Sequence, residues 1–157
     1  MRASIALFLA CICGTTGFAG APGYEPQTVR GILALGKAAD EQLFDVTGTF
    51  LSGGEINALI DDDCGQDSAT HCSVWVRFDA CNQPNGMNPC LVTLQAIPRV
   101  PYGAGVRAAR IRARGIVHSV RKDVTYPPSF PAAAKIGFGH LGAFPAEIDV
   151  QIIARTD

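Results

Sequence analysis

The chain has 157 residues and a formal net charge of −1, with 48% hydrophobic and 17% charged residues. This composition excludes an intrinsically disordered or fibrous protein, because the apolar content is sufficient for a packed core. The nearly neutral charge provides no bulk attraction to nucleic acid, so nucleic acid is not an expected partner.

Residues 1–21 have the pattern of a secretory signal peptide. Arg2 precedes an apolar run, and a small-residue segment then closes on an A-x-A pattern at residues 19–21. The run is shorter than the roughly 20 residues of a membrane-spanning helix. We therefore expect export to the periplasm or exterior, with residues 22–157 as a single mature domain without a transmembrane segment. The residues before Cys11 partly resemble a bacterial lipobox, so a lipoprotein anchored at Cys11 is the alternative.

Four cysteines remain in the mature chain, namely Cys64, Cys72, Cys81 and Cys90. An even number in an exported domain indicates disulfides, and four cysteines allow three pairings. We favour Cys64–Cys72 with Cys81–Cys90, because each pair closes a short loop within reach of local turns. The rival interpretation, a structural zinc site, usually needs ligands in closer C-x2-4-C pairs. We therefore expect no metal and no cofactor.

The hydrophobic pattern predicts one helix followed mainly by strands. The helix runs from Pro26 to about Asp40, where Pro26 suits a first helical turn. Alternating apolar residues predict strands at 43–51, 56–60, 72–78, 106–120 and 147–153, and residues 91–97 fit either a short helix or a strand. Gly48 indicates a bend or close backbone approach, and Gly115 indicates a bulge. Five main strands after a helix predict a small antiparallel OB-like β-barrel.

Two segments resemble known proteins. The predicted helix followed by the sequence FDVTGTF at residues 44–50 resembles the opening of many bacterial OB-type domains. The sequence FGHLGAFPAEI at residues 138–148 is similar to a segment of small exported proteins of Gram-negative bacteria that have no assigned function. The resemblance implies an OB-type fold and an envelope location, and it implies no activity.

No catalytic or metal-binding motif has the required context. Residues 137–142 match G-x-G-x-x-G, but a proline-rich loop (123–135) precedes them and a strand follows, so no helix can hold a pyrophosphate. The acidic run 61–67 lacks the oxygen ligands of an EF-hand loop and predicts an acidic turn instead. The three histidines are far apart in the sequence; among them His140, flanked by glycines, is the most accessible candidate.

The charges are divided between two segments. Residues 40–67 hold eight of the fourteen carboxylates and no basic residue, whereas residues 107–122 hold six of the thirteen basic residues and no acid. Such a division either steers charged partners to the surface or lets the two segments face each other in the fold.

A basic stripe is the main candidate for binding. Arg110, Arg112 and Arg114 alternate on one predicted strand, so their guanidinium groups project from one face about 7 Å apart. Such groups can bind phosphates or carboxylates bidentately. Trp75 is a candidate stacking platform near them, as single-strand binding would require.

The sequence therefore predicts a non-enzymatic exported binding module that recognises an anionic envelope polymer or a partner protein through this basic face. One alternative is an inhibitor or immunity-type protein that acts through loops 80–105 and 123–145. Another is a small envelope hydrolase that uses His140 or His118 with a carboxylate.

Overall fold

A computed structural model describes residues 25–64, 72–103, 105–120, 137–139 and 143–156. The predicted signal peptide, His71, His140 and the proline-rich loop lie outside these residues. The elements are β1 (Gln27–Thr28), α1 (Val29–Leu35), a 3-10 turn (Gly36–Ala39), β2 (Gln42–Gly53), β3 (Ile56–Ile60), β4 (Ser73–Arg77), a second 3-10 turn (Asp79–Cys81), α2 (Pro89–Ala96), β5 (Val100–Gly103), β6 (Val106–His118) and β7 (Glu147–Arg155).

Five of the strands close into the predicted OB-like barrel. The sheet order is β1-β2-β3-β4-β7-β6-β5, and β2 also pairs with β6, so β2, β3, β4, β7 and β6 form a ring. The prediction of a purely antiparallel barrel is wrong in one detail, because β4 and β7 run parallel. The reason is geometric: a closed ring with an odd number of strands cannot alternate direction at every neighbour.

Capping residues explain where both α-helices begin. The side chain of Thr28 accepts a hydrogen bond from the Gly31 amide at 3.0 Å and so caps α1. The helix therefore begins later than the predicted Pro26. The ambiguous segment 91–97 is helical: α2 is capped by Asn88 and has Pro89 in its first turn.

The barrel interior is built from the apolar positions that alternate along the strands. The largest of these buried side chains are Phe50, Leu59, Ile111 and Ile148, joined by Ile32 of α1. From α2, Leu94 packs into the same core. Both helices therefore pack onto the barrel through a few apolar residues.

Two glycines permit close contacts within the barrel. A Cβ atom at Gly48 would lie 2.5 Å from the carbonyl oxygen of Ile60, and one at Gly115 would lie 2.5 Å from that of Asp149. The β6–β7 register also shifts at Gly115. These contacts confirm the predicted close approach and the predicted bulge.

The favoured disulfide pairing is confirmed. Cys64 bonds to Cys72 with their Cα atoms 6.0 Å apart, and Cys81 bonds to Cys90 with theirs 5.9 Å apart. The second bond ties the start of α2 to the 3-10 turn after β4. Two disulfides indicate an oxidising location outside the cytoplasm. Among the residues that the structure describes, none forms a helix of the length and apolarity that crossing a membrane requires.

Candidate functional site

The basic stripe on β6 lies beside the acidic segment. Strand β6 pairs along β2, with Arg114 opposite Asp45 and Arg110 opposite Thr49. From Arg112, Nε donates to Asp45 Oδ1 and Nη2 to Asp45 Oδ2, each at 2.7 Å. This bidentate hydrogen bonding raises the pKa of Arg112 above its ordinary value. Arg112 is therefore a charged and internally paired group.

The other two arginines of the stripe differ from each other. Arg110 forms an ion pair with Asp62, whose carboxylate also accepts a hydrogen bond from Thr49 Oγ1 at 2.8 Å. Arg114 is exposed and has no ion pair or side-chain hydrogen bond within the described part of the chain. The acidic and basic segments thus face each other, as one of the two sequence interpretations required. Ligand binding by the stripe stays a prediction.

Trp75 lies away from the stripe. On the outer face of the barrel it is opposite Glu147 of β7, so β7 lies between it and β6. The β6 residue opposite Glu147 is His118 at the end of the strand, not one of the three arginines. The indole packs against the ring of Phe144, with centroids 5.3 Å apart, and a Cβ at Gly139 would clash with the indole. The structure therefore does not bring Trp75 together with the three arginines, and its indole is partly covered.

A second basic site lies at the end of α2, where no sequence motif had indicated one. An open groove of about 410 Å³ is lined by Gln95, Ala96, Ile97, Pro98, Arg99 and Arg107. Arg99 Nη1 donates to the Ser52 hydroxyl at 3.3 Å, and Arg107 Nη2 donates to the Arg99 carbonyl at 3.2 Å. Both partners are neutral, and neither arginine has an ion pair with any carboxylate of the described residues. The two positive charges therefore remain uncompensated.

The chain on both sides of these groove residues exposes apolar side chains. Five large hydrophobic residues in α2, in β5 or just before α2 are exposed, namely Met87, Leu91, Val92, Val100 and Tyr102. Val100 and Tyr102 are 62% and 52% exposed. Together with Arg99 and Arg107 they form what we call the α2–β5 surface. It occupies the loop 80–105 of the predicted inhibitor-type alternative and extends into β6.

The acidic run has structural roles. The carboxylate of Asp61 is buried and accepts the Arg30 amide at 3.0 Å, in the first turn of α1. Asp62 is held by Arg110, as described above, and the Asp63 carbonyl accepts a hydrogen bond from Arg30. These contacts fit the predicted acidic turn better than a calcium loop.

One cluster of potential metal ligands was missed in the sequence. Asp40 and Glu41 precede β2, and the β2–β6 register, with Gln42 opposite Val117, brings them to His118 at the end of β6. The Nδ1 atom of His118 lies 3.2 Å from Glu41 Oε1. One ligand atom from each of the three residues lies within 4.8 Å of the other two. The three residues are brought together by the register between β2 and β6, two strands that are far apart in the sequence.

Comparisons with known proteins do not identify a function. The chain matches no protein-family model, no curated protein and no solved structure. Since OB-like barrels carry many unrelated functions, the fold alone names no ligand. Function has to be inferred from the chemistry of the α2–β5 surface, the stripe on β6 and the cluster at His118.

Proposed function

We propose that this protein is an exported, non-enzymatic binding module that holds an acidic partner protein on the α2–β5 surface. The observation that carries the proposal is the pair of guanidinium groups of Arg99 and Arg107. They line one groove, and their hydrogen-bond partners among the described residues are a hydroxyl and a carbonyl oxygen. Carboxylates of a partner can bind both groups bidentately without displacing an internal ion pair.

A partner protein fits this surface better than an anionic polymer does. Besides the two arginines, the α2–β5 surface exposes Tyr102, Met87 and two valines. Tyrosine, methionine and arginine are enriched at protein interfaces, and aromatic and arginine side chains dominate their binding energy. A polyanion would pair with the two arginines but would leave the exposed apolar side chains of the α2–β5 surface in water.

The stripe on β6 is the weaker candidate site, because two of its three arginines are already paired with carboxylates. A ligand at Arg110 or Arg112 must compete with Asp62 or Asp45 for the guanidinium group. Removing one partner of such a pair also leaves a carboxylate uncompensated. Of the three arginines first considered, Arg114 is the one that could contribute to binding at no such cost.

The location follows from the disulfides together with the pattern of residues 1–21. The disulfides indicate an oxidising compartment. We propose cleavage after the A-x-A pattern, so that the mature chain acts in the periplasm or outside the cell. The partner would then be a protein of the same compartment.

The test is a quantitative pull-down from an envelope extract with the mature chain, followed by calorimetry with the purified partner. We expect one stoichiometric partner, and we expect the double variant Arg99→Glu/Arg107→Glu to weaken its affinity by about tenfold or more. Affinity for the wild type should fall steeply as salt rises. The matched control is Lys37→Glu, an exposed charge reversal in the 3-10 turn after α1.

Three results would overturn the proposal. If Arg114→Glu removed binding while the groove variant kept it, the ligand would belong to the stripe on β6. If the wild type retained heparin, a model polyanion, but captured no stoichiometric protein, the ligand would be a polymer. Full retention of the partner by the groove variant would exclude the α2–β5 surface.

A further inference from the structure

We propose that Asp40, Glu41 and His118 form a binding site for one Zn²⁺ ion at the end of β6. This site is independent of the α2–β5 surface and contains neither of its arginines. Its three side chains come from two strand ends that the β2–β6 pairing holds together. The site is thus formed by the barrel itself.

The spacing of the ligand atoms suits a small tetrahedral cation. The Nδ1 atom of His118 and the Oε1 atom of Glu41 are 3.2 Å apart. Two ligands of a tetrahedral Zn²⁺ ion, with bonds of about 2.0–2.1 Å, are separated by about 3.3 Å. A Zn²⁺ ion can therefore take the place of the hydrogen bond between His118 and Glu41, with the imidazole proton then carried by Nε2. The carboxylate of Asp40 reaches the ion by a small side-chain adjustment, because its ligand atom lies within 4.8 Å of the other two.

The backbone orients the third ligand. Asp40 Oδ1 accepts hydrogen bonds from the amides of Ser119 and Val120 at 2.9 and 3.0 Å. Such outer contacts to a ligating carboxylate are typical of protein metal sites, where they fix its direction. The same amides place the chain directly after His118 against Asp40, so the imidazole and this carboxylate are held on one side of the barrel end.

The residue that follows His118 in the chain carries a buried hydroxyl group. Ser119 Oγ has no hydrogen-bond partner among the residues that the structure describes. Buried polar atoms are normally paired with protein or with an ordered water. Three protein ligands leave the fourth position of a tetrahedral ion to water. We expect such a water, when zinc is bound, to be a partner for this hydroxyl group.

The donor set selects the metal. Imidazole nitrogen favours zinc and later transition metals over Mg²⁺ and Ca²⁺, which prefer sites built from oxygen alone. Two carboxylates and one imidazole, with no thiolate, resemble the donor types of zinc sites that keep an open position. Within the described part of the chain the cysteines are oxidised and cannot compete.

The experiment is a calorimetric titration of the EDTA-treated mature chain with ZnCl₂. We expect one Zn²⁺ per chain, and we expect His118→Ala to weaken binding more than about 100-fold, beyond the loss caused by changing a group that only supports a ligand. Glu41→Gln keeps the size of an exposed side chain, so it tests the ligand without a folding defect. His71→Ala is the matched imidazole control and should bind as the wild type does.

The results separate cleanly. Zinc-dependent shifts of the His118 imidazole nitrogens in NMR, absent with MgCl₂, would support direct ligation. Equal zinc affinity in the wild type, His118→Ala and Glu41→Gln would overturn the site, as would no stoichiometric binding by the wild type. Loss of binding in His71→Ala alone would place the metal elsewhere. None of these results depends on the partner proposed for the α2–β5 surface.

Discussion

Two basic regions on and beside β6 behave differently although they use the same residue type. In the middle of the strand, Arg110 and Arg112 are held by the carboxylates of Asp62 and Asp45. At the start of the strand, Arg107 lies beside Arg99 and donates to its carbonyl oxygen. The first region is internally neutralised, whereas the second presents two positive charges to solvent.

Strand register determines which arginines of β6 can bind an external anionic group. The middle of β6 runs along β2, which carries Asp45, and another neighbour of β2, strand β3, ends just before Asp62. Each of two arginines therefore meets a carboxylate. The start of β6 instead pairs with β5 and with the end of β2, where its neighbours carry no acid. A basic stripe in a sequence is therefore a binding site only where the paired strand leaves it uncompensated.

We expect the largest loss of stability from removing the disulfide that holds α2, and this change should affect only one of the two basic regions. The double variant Cys81→Ala/Cys90→Ala removes a disulfide that closes a short loop, which should lower the free energy of unfolding by about 2–3 kcal/mol. Because Cys90 lies in α2, the variant should also weaken partner binding at the α2–β5 surface. Denaturant unfolding and calorimetry with the partner measure the two effects.

The second disulfide is the control for this comparison. Cys64→Ala/Cys72→Ala opens a loop of similar length, so its stability loss should be about the same, roughly 2–3 kcal/mol. Neither cysteine lies near α2 in the chain order. Partner binding should therefore persist in this variant at temperatures where it is folded. Equal loss of binding in both variants would show that the loss reflects general destabilisation and is not specific to the α2 disulfide.

The second prediction concerns variants that remove the carboxylates paired with the stripe, so that its arginines become uncompensated like those of the α2–β5 surface. Asp45→Asn removes the carboxylate of a half-buried pair whose side chains are 16% and 28% exposed. The variant should lose about 1–2 kcal/mol of unfolding free energy. With Asp62→Asn added, the stripe should also retain heparin more strongly than the wild type does. Chemical denaturation and salt elution from a heparin column measure these changes.

The outcome tests the role of internal pairing directly. A matched control is Asp79→Asn, since Asp79 is an exposed carboxylate paired with Arg77 outside β6. It removes one negative charge as Asp45→Asn does, but it leaves the stripe intact. If both single variants raised heparin retention equally, net charge would explain the effect, and the compensation argued for the stripe would be wrong.

The fold was predictable because its signals are local. Alternation along β2 and β6 identifies strands, and Gly48 and Gly115 mark contacts too close for a side chain. The short spacing of each cysteine pair also favoured the disulfides that the structure has. The alternation and the cysteine spacings involve residues a few positions apart, so they can be recognised directly in the sequence. The two glycines are recognised because each interrupts such an alternating pattern, although the contacts they permit join different strands.

The sites were less predictable because they depend on register across the barrel. The meeting of Glu41 with His118 requires residue 42 to pair with residue 117, which no local pattern specifies. The same holds for the pairing of Arg112 with Asp45. Trp75 illustrates the converse: alternation placed it on the outer face, but only the topology shows that β7 lies between it and β6, with His118 rather than an arginine at its level.

The smallest expected effect on stability is at Arg107. Arg107 is exposed and donates to a single carbonyl, so Arg107→Ala should change the free energy of unfolding by no more than about 0.5 kcal/mol. Arg112→Ala, by contrast, leaves Asp45 without its bidentate partner and should cost more. Thermal and denaturant unfolding of the two variants give this ordering.

Partner binding should follow the opposite ordering. Arg107→Ala should weaken the partner while Arg112→Ala leaves it nearly unchanged, because the Arg112 guanidinium is already engaged by Asp45. Such a reversal would mean that one arginine of β6 serves the fold and another serves recognition. If Arg107→Ala destabilised the barrel as much as Arg112→Ala, the uncompensated pair at the groove would itself be structural, and the two regions would not differ in the way proposed.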